Sequence, residues 1–148
     1  MTKVLFCHGA PDRLHAAAAW LMQFSLQRKP AGAGAAALVY APEKEIAERF
    51  DRLLWTQSAT GFLPHCRADS PLAAETPILI TGTLDAMPQQ EQLLNLSNEL
   101  PPGFSRFENL VEVISDEDAV RLPARERVKF YRDRGYEIQF RDLHKEPL

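Results

Sequence analysis

Six basic side chains fall within fourteen residues near the end of the chain, in the segment RLPARERVKFYRDR that begins at Arg121. Only Glu126 and Asp133 oppose them there, although the whole chain carries a formal net charge of -3. Clustered cations recognise anions such as carboxylates or phosphates. The segment is therefore the first candidate for a binding site, and its basic residues are Arg121, Arg125, Arg127, Lys129, Arg132 and Arg134.

Helical geometry sorts these cations into a row. The sequence from Ala124 to Arg134 favours a regular helix, and Gly135 suits its C-terminal cap. At about 100° per residue, Arg125, Lys129 and Arg132 fall on one stripe of that helix. A neighbouring stripe is apolar, so a cationic row borders an apolar edge formed by Ala124, Val128 and Tyr131.

The start of this helix depends on how the chain accommodates Pro123. Ser115 can act as the N-terminal cap, with the acidic residues 116–118 in the first turn. Pro123 either kinks the helix or restarts it as a first-turn residue. Arg121 joins the cationic stripe only if the helix continues through Pro123.

Three interpretations of the basic segment remain open from the residues alone. Cations near the C-terminus of a helix complement its dipole, which is a purely structural role. The alignment beside an apolar edge suits an acidic peptide with a hydrophobic end. It also suits a short stretch of phosphate backbone. A general nucleic-acid binder is disfavoured, because the chain is acidic overall and the basic patch is local.

Motifs for catalysis, cofactors or metals are weak in this sequence. The glycines of Gly32–Ala37 follow a predicted helix and precede a strand, whereas a phosphate loop follows a strand and opens a helix. Cys7–His8 and His65–Cys66 are adjacent pairs, and adjacent residues on a strand point to opposite faces. No nucleophile–base arrangement is recognisable, so we expect no catalytic centre, no cofactor and no metal site.

The elements that must position these residues alternate between strands and helices. A strand at Lys3–Gly9 is followed by a helix that Asp12 caps, and a strand near Ala37–Ala41 by a helix after Pro42. Further strands are predicted at Pro77–Gly82, within residues 92–103, at 109–115 and at 136–143. This order predicts an α/β fold, a single domain over residues 1–148 with a mostly parallel central sheet flanked by helices, of Rossmann-like topology.

Composition limits the protein's location. With 45% hydrophobic and 25% charged residues, the chain resembles an ordinary globular protein. It has no apolar run of about 18 residues, so no membrane contact is expected. The two cysteines give no disulfide framework and suit a reducing compartment, which predicts a cytoplasmic location.

A loop rich in small polar residues, predicted over residues 56–76, adds a second candidate surface. Trp55, Phe62, Leu63 and Pro64 stand in or beside it. Large apolar groups in such a place are either buried under the loop or exposed for a partner.

Three segments together resemble the chi subunit of bacterial DNA polymerase III. They are LLWTQSATGFLPH, FENLVEVI and ARERVKFYRDRGYEI, and the resemblance extends over most of the chain. The LW…F-x-P-H and A-R-E-R-x-K-x-Y-R-x-x-G patterns are its more specific parts. The resemblance implies one α/β domain without a nucleotide site or catalytic centre, acting as an accessory subunit of the clamp-loader assembly.

The resemblance also implies two binding surfaces. One would hold the acidic, Phe-terminated C-terminal tail of single-stranded DNA-binding protein, so that contact with single-stranded DNA is indirect. The other, at Trp55 and Phe62, would hold the small psi subunit or a lineage-specific replacement, since psi is not found in every lineage that has chi. By motif position, the tail site would use Ile114, Arg121, Arg125, Val128 and Lys129.

One position departs from the family pattern. Members of the family carry an aromatic residue where this chain has Val128, so the apolar part of the tail site has a smaller wall on the helix. The competing hypothesis from another class is a small nucleotide-binding or transferase enzyme on an α/β scaffold.

Overall fold

The computed structural model describes residues 2–27, 37–56, 65–67, 78–84 and 92–145. Three α-helices lie within these residues: α1 at Arg13–Gln27, α2 at Lys44–Thr56 and α3 at Asp118–Asp133. The seven strands of the same residues are β1 at Lys3–Ala10, β2 at Ala37–Tyr40, β3 at His65–Arg67, β4 at Ile78–Thr81, β5 at Gln92–Asn95, β6 at Asn109–Ser115 and β7 at Glu137–Asp142.

The described strands form one sheet in the order β3-β4-β2-β5-β6-β1-β7. Every neighbouring pair is parallel. Strands β2, β4 and β5 are buried along their whole length, as expected for a parallel sheet covered on both faces. The predicted α/β class with a parallel sheet is confirmed.

Helices cover the two faces unequally. Helices α1 and α2 pack on one face, where Leu21 and Phe50 meet alternate strand residues such as Val39 and Val111. Helix α3 packs on the opposite face and contacts β6 and β7. A short 3-10 helix at Phe104–Arg106 shares this face, where Phe104 packs against Tyr131 of α3.

The predicted caps of α1 and α3 have different outcomes. A side-chain oxygen of Asp12 accepts a 3.0 Å hydrogen bond from the backbone N–H of His15, so Asp12 caps α1 as predicted. Ser115 does not cap α3: it ends β6, and the residue before the helix is Glu117. The Ser115 hydroxyl is buried and has no hydrogen-bond partner among the described residues.

Helix α3 runs unbroken through Pro123, which answers the question left open by the sequence. It ends as predicted at Gly135, whose φ of 82° lies in the left-handed region. The backbone N–H of Gly135 donates to the carbonyl of Arg132, and that of Tyr136 donates to the carbonyl of Tyr131. This pair of hydrogen bonds is the Schellman motif, in which glycine avoids the steric cost of positive φ.

One predicted loop contains a strand. Residues 56–76 were expected to be a polar loop, but His65–Arg67 pairs in parallel with β4. The strand has only three residues, too few for an alternating pattern, and its pairing partner lies more than ten residues away in sequence. Its existence depends on that partner, which local patterning does not detect.

Candidate functional site

Helix α3 distributes its basic residues in several directions. Arg127 points into the core and is 4% exposed. The guanidinium of Arg134 lies over the ring of Phe130, 4.7 Å from its centroid. Arg121 and Arg125 lie beside an open groove. The cluster counted from the sequence is therefore not one site, and only part of it faces a possible ligand.

The groove has a volume of about 340 Å³ and lies between the first half of α3 and the C-terminal ends of β1, β6 and β7. Its floor is apolar and consists of Phe6, Ile114 and Phe140. Arg121 and Arg125 form the wall on the α3 side. At the far end lie two histidines and two aspartates, His8, His144, Asp116 and Asp142.

Phe6 and Ile114 are fixed parts of this floor. Both belong to a buried cluster with Ala124 of α3, and they are 8% and 2% exposed. Val128 and Val120 pack against the same cluster from the helix. The apolar surface beside the two arginines is thus held in place by packing with α3 itself.

Three of the five residues predicted for the tail site line the groove together: Ile114, Arg121 and Arg125. Val128 is half-buried behind the floor. Lys129 is exposed one turn after Arg125 and lies outside the groove lining. The helix and the end of β6 therefore bring most of the predicted set to one place.

Arg121 already has an ion-pair partner on this surface. Its Nη2 donates to Oδ1 of Asp118 at 2.6 Å, in an ion pair that solvent reaches. This hydrogen bond and the charge of Arg121, with a smaller effect from Arg125, lower the pKa of Asp118 below its usual value. A carboxylate of the chain itself thus occupies part of the cationic wall.

The sequence interpretation missed the far side of the groove. Nε2 of His144 lies 3.3 Å from Oδ2 of Asp116, and both residues line the groove. Phe140 on β7 and Phe6 on β1 occupy the same register position of neighbouring parallel strands. The alternation of apolar residues in β7 was visible in the sequence, but the pairing of β7 with β1 was not.

A buried polar network sets the orientation of α3. The carboxylate of Glu112 on β6 accepts hydrogen bonds from Nε and Nη2 of Arg127, from the hydroxyl of Tyr131 and from Nδ2 of Asn95, at 2.7–3.1 Å. Burial and the neighbouring Glu112 charge raise the pKa of Tyr131 well above its usual value, so its hydroxyl remains a donor. Because Arg127 and Tyr131 are held inward, Arg121 and Arg125 remain on the groove side.

Trp55, one residue of the second predicted surface, lies on helix α2, which packs on the opposite face of the sheet. Trp55, near the end of α2, is 56% exposed. Helix α2 packs on the face that α3 does not cover. Phe62, predicted to share this surface, lies outside the described residues.

Arg13 lines the crevice at the C-terminal ends of the strands, where parallel α/β sheets commonly bind ligands, and a cavity of only about 140 Å³ remains beside it. Its guanidinium donates to the backbone carbonyls of Asn95, Ser97 and Val113 and to the side chain of Asn98. Burial lowers the pKa of Arg13 to about 10.

The first turn of α1 also disfavours a nucleotide in this crevice. A nucleotide phosphate would bind where the Asp12 carboxylate already accepts a helix N–H group. A carboxylate at that position repels a phosphate. The arrangement does not favour the nucleotide-binding alternative.

Within the described ranges, no group of three or more His, Cys, Asp or Glu residues could hold a metal ion. No helix in the same ranges is long and apolar enough to span a membrane.

Comparison with known proteins finds a matching family and related proteins of the same description. Residues 1–139 match the family described as DNA polymerase III chi subunit, HolC. A DNA polymerase III subunit chi from Pseudomonas aeruginosa is 31% identical over 99 residues, which cover 67% of this chain and 68% of the relative.

Two further relatives carry the same description. The one from Haemophilus influenzae is 28% identical over 106 residues, covering 71% of this chain and 74% of its own length. The one from Escherichia coli K12 is 28% identical over 111 residues, covering 71% and 72%.

Proposed function

This chain belongs to the DNA polymerase III chi subunit family, and from that premise we propose that it is a non-catalytic accessory subunit of the clamp-loader assembly. In this role it binds the acidic, Phe-terminated C-terminal tail of single-stranded DNA-binding protein. The tail links that protein, and indirectly single-stranded DNA, to the replisome. A cytoplasmic location goes with this role.

The main support for the tail site is that an apolar floor and a cationic wall line the same groove. Phe6 and Ile114, although mostly buried, line the groove together with Arg121 and Arg125. A peptide that ends in phenylalanine has an aromatic ring and a free carboxylate on the same residue. Such a residue needs an apolar surface and a cation a few ångströms apart.

Arg125 is the proposed partner of the terminal carboxylate. Its guanidinium is exposed on α3 and lines the groove, and a guanidinium binds a carboxylate through two parallel hydrogen bonds. Arg121 and Lys129 would meet the acidic residues that precede the terminal phenylalanine. Val128 supports the floor from behind.

We propose a second interface for the psi subunit or a lineage-specific replacement at Trp55, together with Phe62. The exposed Trp55 lies on the α2 face, and Trp is among the residues most favoured at the centre of protein interfaces. Because α2 and α3 cover opposite faces of the sheet, the subunit can bind both partners at the same time.

Calorimetric titration with a synthetic Asp-rich peptide that ends in phenylalanine tests the tail site. A hydrogen bond to a charged group contributes roughly 1.5–3 kcal/mol, so Arg125→Ala should weaken binding by about ten- to a hundredfold. Lys129→Ala should weaken it less, because an exposed ammonium is a screened point charge. Added salt should weaken binding by the wild-type protein.

A matched control comes from the same helix. Arg132→Ala removes an exposed cation that does not line the groove, so its affinity should stay close to that of the wild type. Amidation of the peptide's C-terminus should weaken wild-type binding but not binding by Arg125→Ala, if these two groups pair. The proposal is contradicted if Arg125→Ala binds like the wild type, or loses binding only because its fold has melted.

A further inference from the structure

Phe140 is an aromatic residue exposed in the groove. Three large apolar side chains of the described residues are strongly exposed: Trp55, Leu122 and Phe140. Of these, only Phe140 lines the groove, and 53% of it is accessible to solvent. An exposed aromatic side chain beside two arginines combines the apolar and charged groups that an interface needs.

The position of Phe140 is fixed by its neighbour. Phe6 and Phe140 face each other across β1 and β7, with ring centroids 5.7 Å apart and ring planes at 63°. This is an edge-to-face aromatic contact. Phe6 is 8% exposed and anchored under α3, whereas Phe140 extends beyond the cover of the helix.

The α3 side of the groove lacks an aromatic wall. Val128 is half-buried against the Phe6 and Ile114 cluster and does not line the groove. The accessible aromatic surface therefore comes from Phe140 of strand β7, next to Phe6 in the floor of the groove.

We infer that Phe140 is the specificity-determining residue of this site and packs against the terminal aromatic ring of an acidic peptide ligand. The inference rests on the proposed function and adds Phe140 to the residues predicted for the tail site. The peptide's carboxylate would lie at Arg125 while its ring packs on the floor of the groove against Phe140 and Ile114. Charge complementarity with the arginine wall argues for an acidic peptide as the occupant.

The test combines variants of the protein with two peptides. Phe140→Ala should weaken binding of an Asp-rich peptide that ends in phenylalanine by about tenfold, since an aromatic contact and buried apolar area are lost together. A second peptide, in which alanine replaces the terminal phenylalanine, should bind the variant and the wild type with equal, weak affinity. Phe140→Tyr should restore tight binding, because the aromatic ring is kept.

Leu122→Ala is the matched control. It removes an exposed large apolar residue that does not line the groove, so it should bind both peptides like the wild type. Thermal melts of every variant separate loss of the contact from loss of the fold, and Phe140→Tyr keeps the test valid if Phe140→Ala melts.

The outcomes separate this inference from the proposed function. If Phe140→Ala binds the Phe-ended peptide like the wild type while Arg125→Ala does not, the role of Phe140 is wrong and the tail site stands. If Phe140→Ala weakens both peptides equally, Phe140 does not read the terminal ring. If the wild-type protein binds neither peptide, the proposed tail site fails and the inference fails with it.

Discussion

Arg127 of α3 and Glu112 of β6 form an ion pair in the protein interior, with 2.9 Å between Nε of Arg127 and Oε2 of Glu112. The side chains are 4% and 0% exposed. Since Tyr131 also donates to Glu112, two turns of α3 are attached to the same carboxylate. This attachment fixes the rotation of the helix about its axis, and thereby the side of the sheet on which Arg121 and Arg125 stand.

Arg127→Ala should therefore destabilise the fold strongly. Removing one partner of a buried ion pair leaves an unpaired buried charge, which costs roughly 3–5 kcal/mol. Arg132→Ala, an exposed cation on the same helix, should change the free energy of unfolding by less than about 0.5 kcal/mol. Urea denaturation of the two variants measures the difference, and equal midpoints would rule out a structural role for the pair.

The role of Arg127 shows where sequence reasoning ends. Periodicity separates Arg127 from the stripe of Arg125 and Lys129, because two residues along a helix are about 200° apart. It does not reveal that Glu112, on a different element, is the partner. Six basic residues were counted correctly in the segment, but one of them, Arg127, is buried and pairs with Glu112 in the core.

Most elements followed from local pattern, with β3 as the exception, and the site followed only in part. Strand and helix positions were predictable because apolar periodicity and caps are local signals. Ile114 and Arg125 meet because α3 follows β6 directly in the chain. Phe6 and Phe140 come from distant strands, and their part in the groove depends on the β1–β7 pairing, which no local signal encodes.

Trp55→Ala should remove binding of the partner subunit without affecting the tail site. The side chain is exposed, so its removal should cost the fold about 1 kcal/mol or less. Size-exclusion chromatography with the purified partner subunit from the same genome, beside peptide titration, measures both interfaces. Arg125→Ala should show the reverse behaviour. Loss of both interactions in either variant would indicate a folding defect rather than two separate surfaces.

Cys7 should resist thiol reagents in the folded protein. It is fully buried on β1, and burial raises the pKa of its thiol to about 11. In a Cys66→Ser background, alkylation at pH 8 should be slow in buffer and complete in denaturant, because the thiolate is the reactive form. Rapid alkylation of the native protein would contradict the burial of Cys7.

The same shift predicts a pH dependence of stability. The folded state holds the Cys7 proton up to about pH 11, whereas an unfolded chain releases it near about pH 8.5. The unfolded state therefore binds fewer protons between these values, and stability falls as the pH rises through this window. Cys7→Ala should show a shallower decline in denaturation midpoint over the same range.

Asp118→Asn should strengthen binding of the acidic peptide. In the free protein Asp118 pairs with Arg121 and competes with the ligand's carboxylates for that cation. Exposed ion pairs contribute little, so the gain in affinity should be modest, about two- to fivefold. Calorimetric titration measures it, with Asp133→Asn at the other end of α3 as the control that should leave affinity unchanged.

The same variant should lower the stability of the fold, so that affinity and stability change in opposite directions. Asp118 lies in the first turn of α3, where a negative charge complements the helix dipole. The hydrogen bond to Arg121 and the charge of Arg121 lower the pKa of Asp118, so the stabilisation from this pair is present at neutral pH and is lost as the pH falls through the folded-state value. Wild type and Asp118→Asn should therefore differ in denaturation midpoint at pH 7 and converge in acid. An unchanged affinity with a lowered midpoint would show that Asp118 only stabilises α3 and does not compete with the ligand.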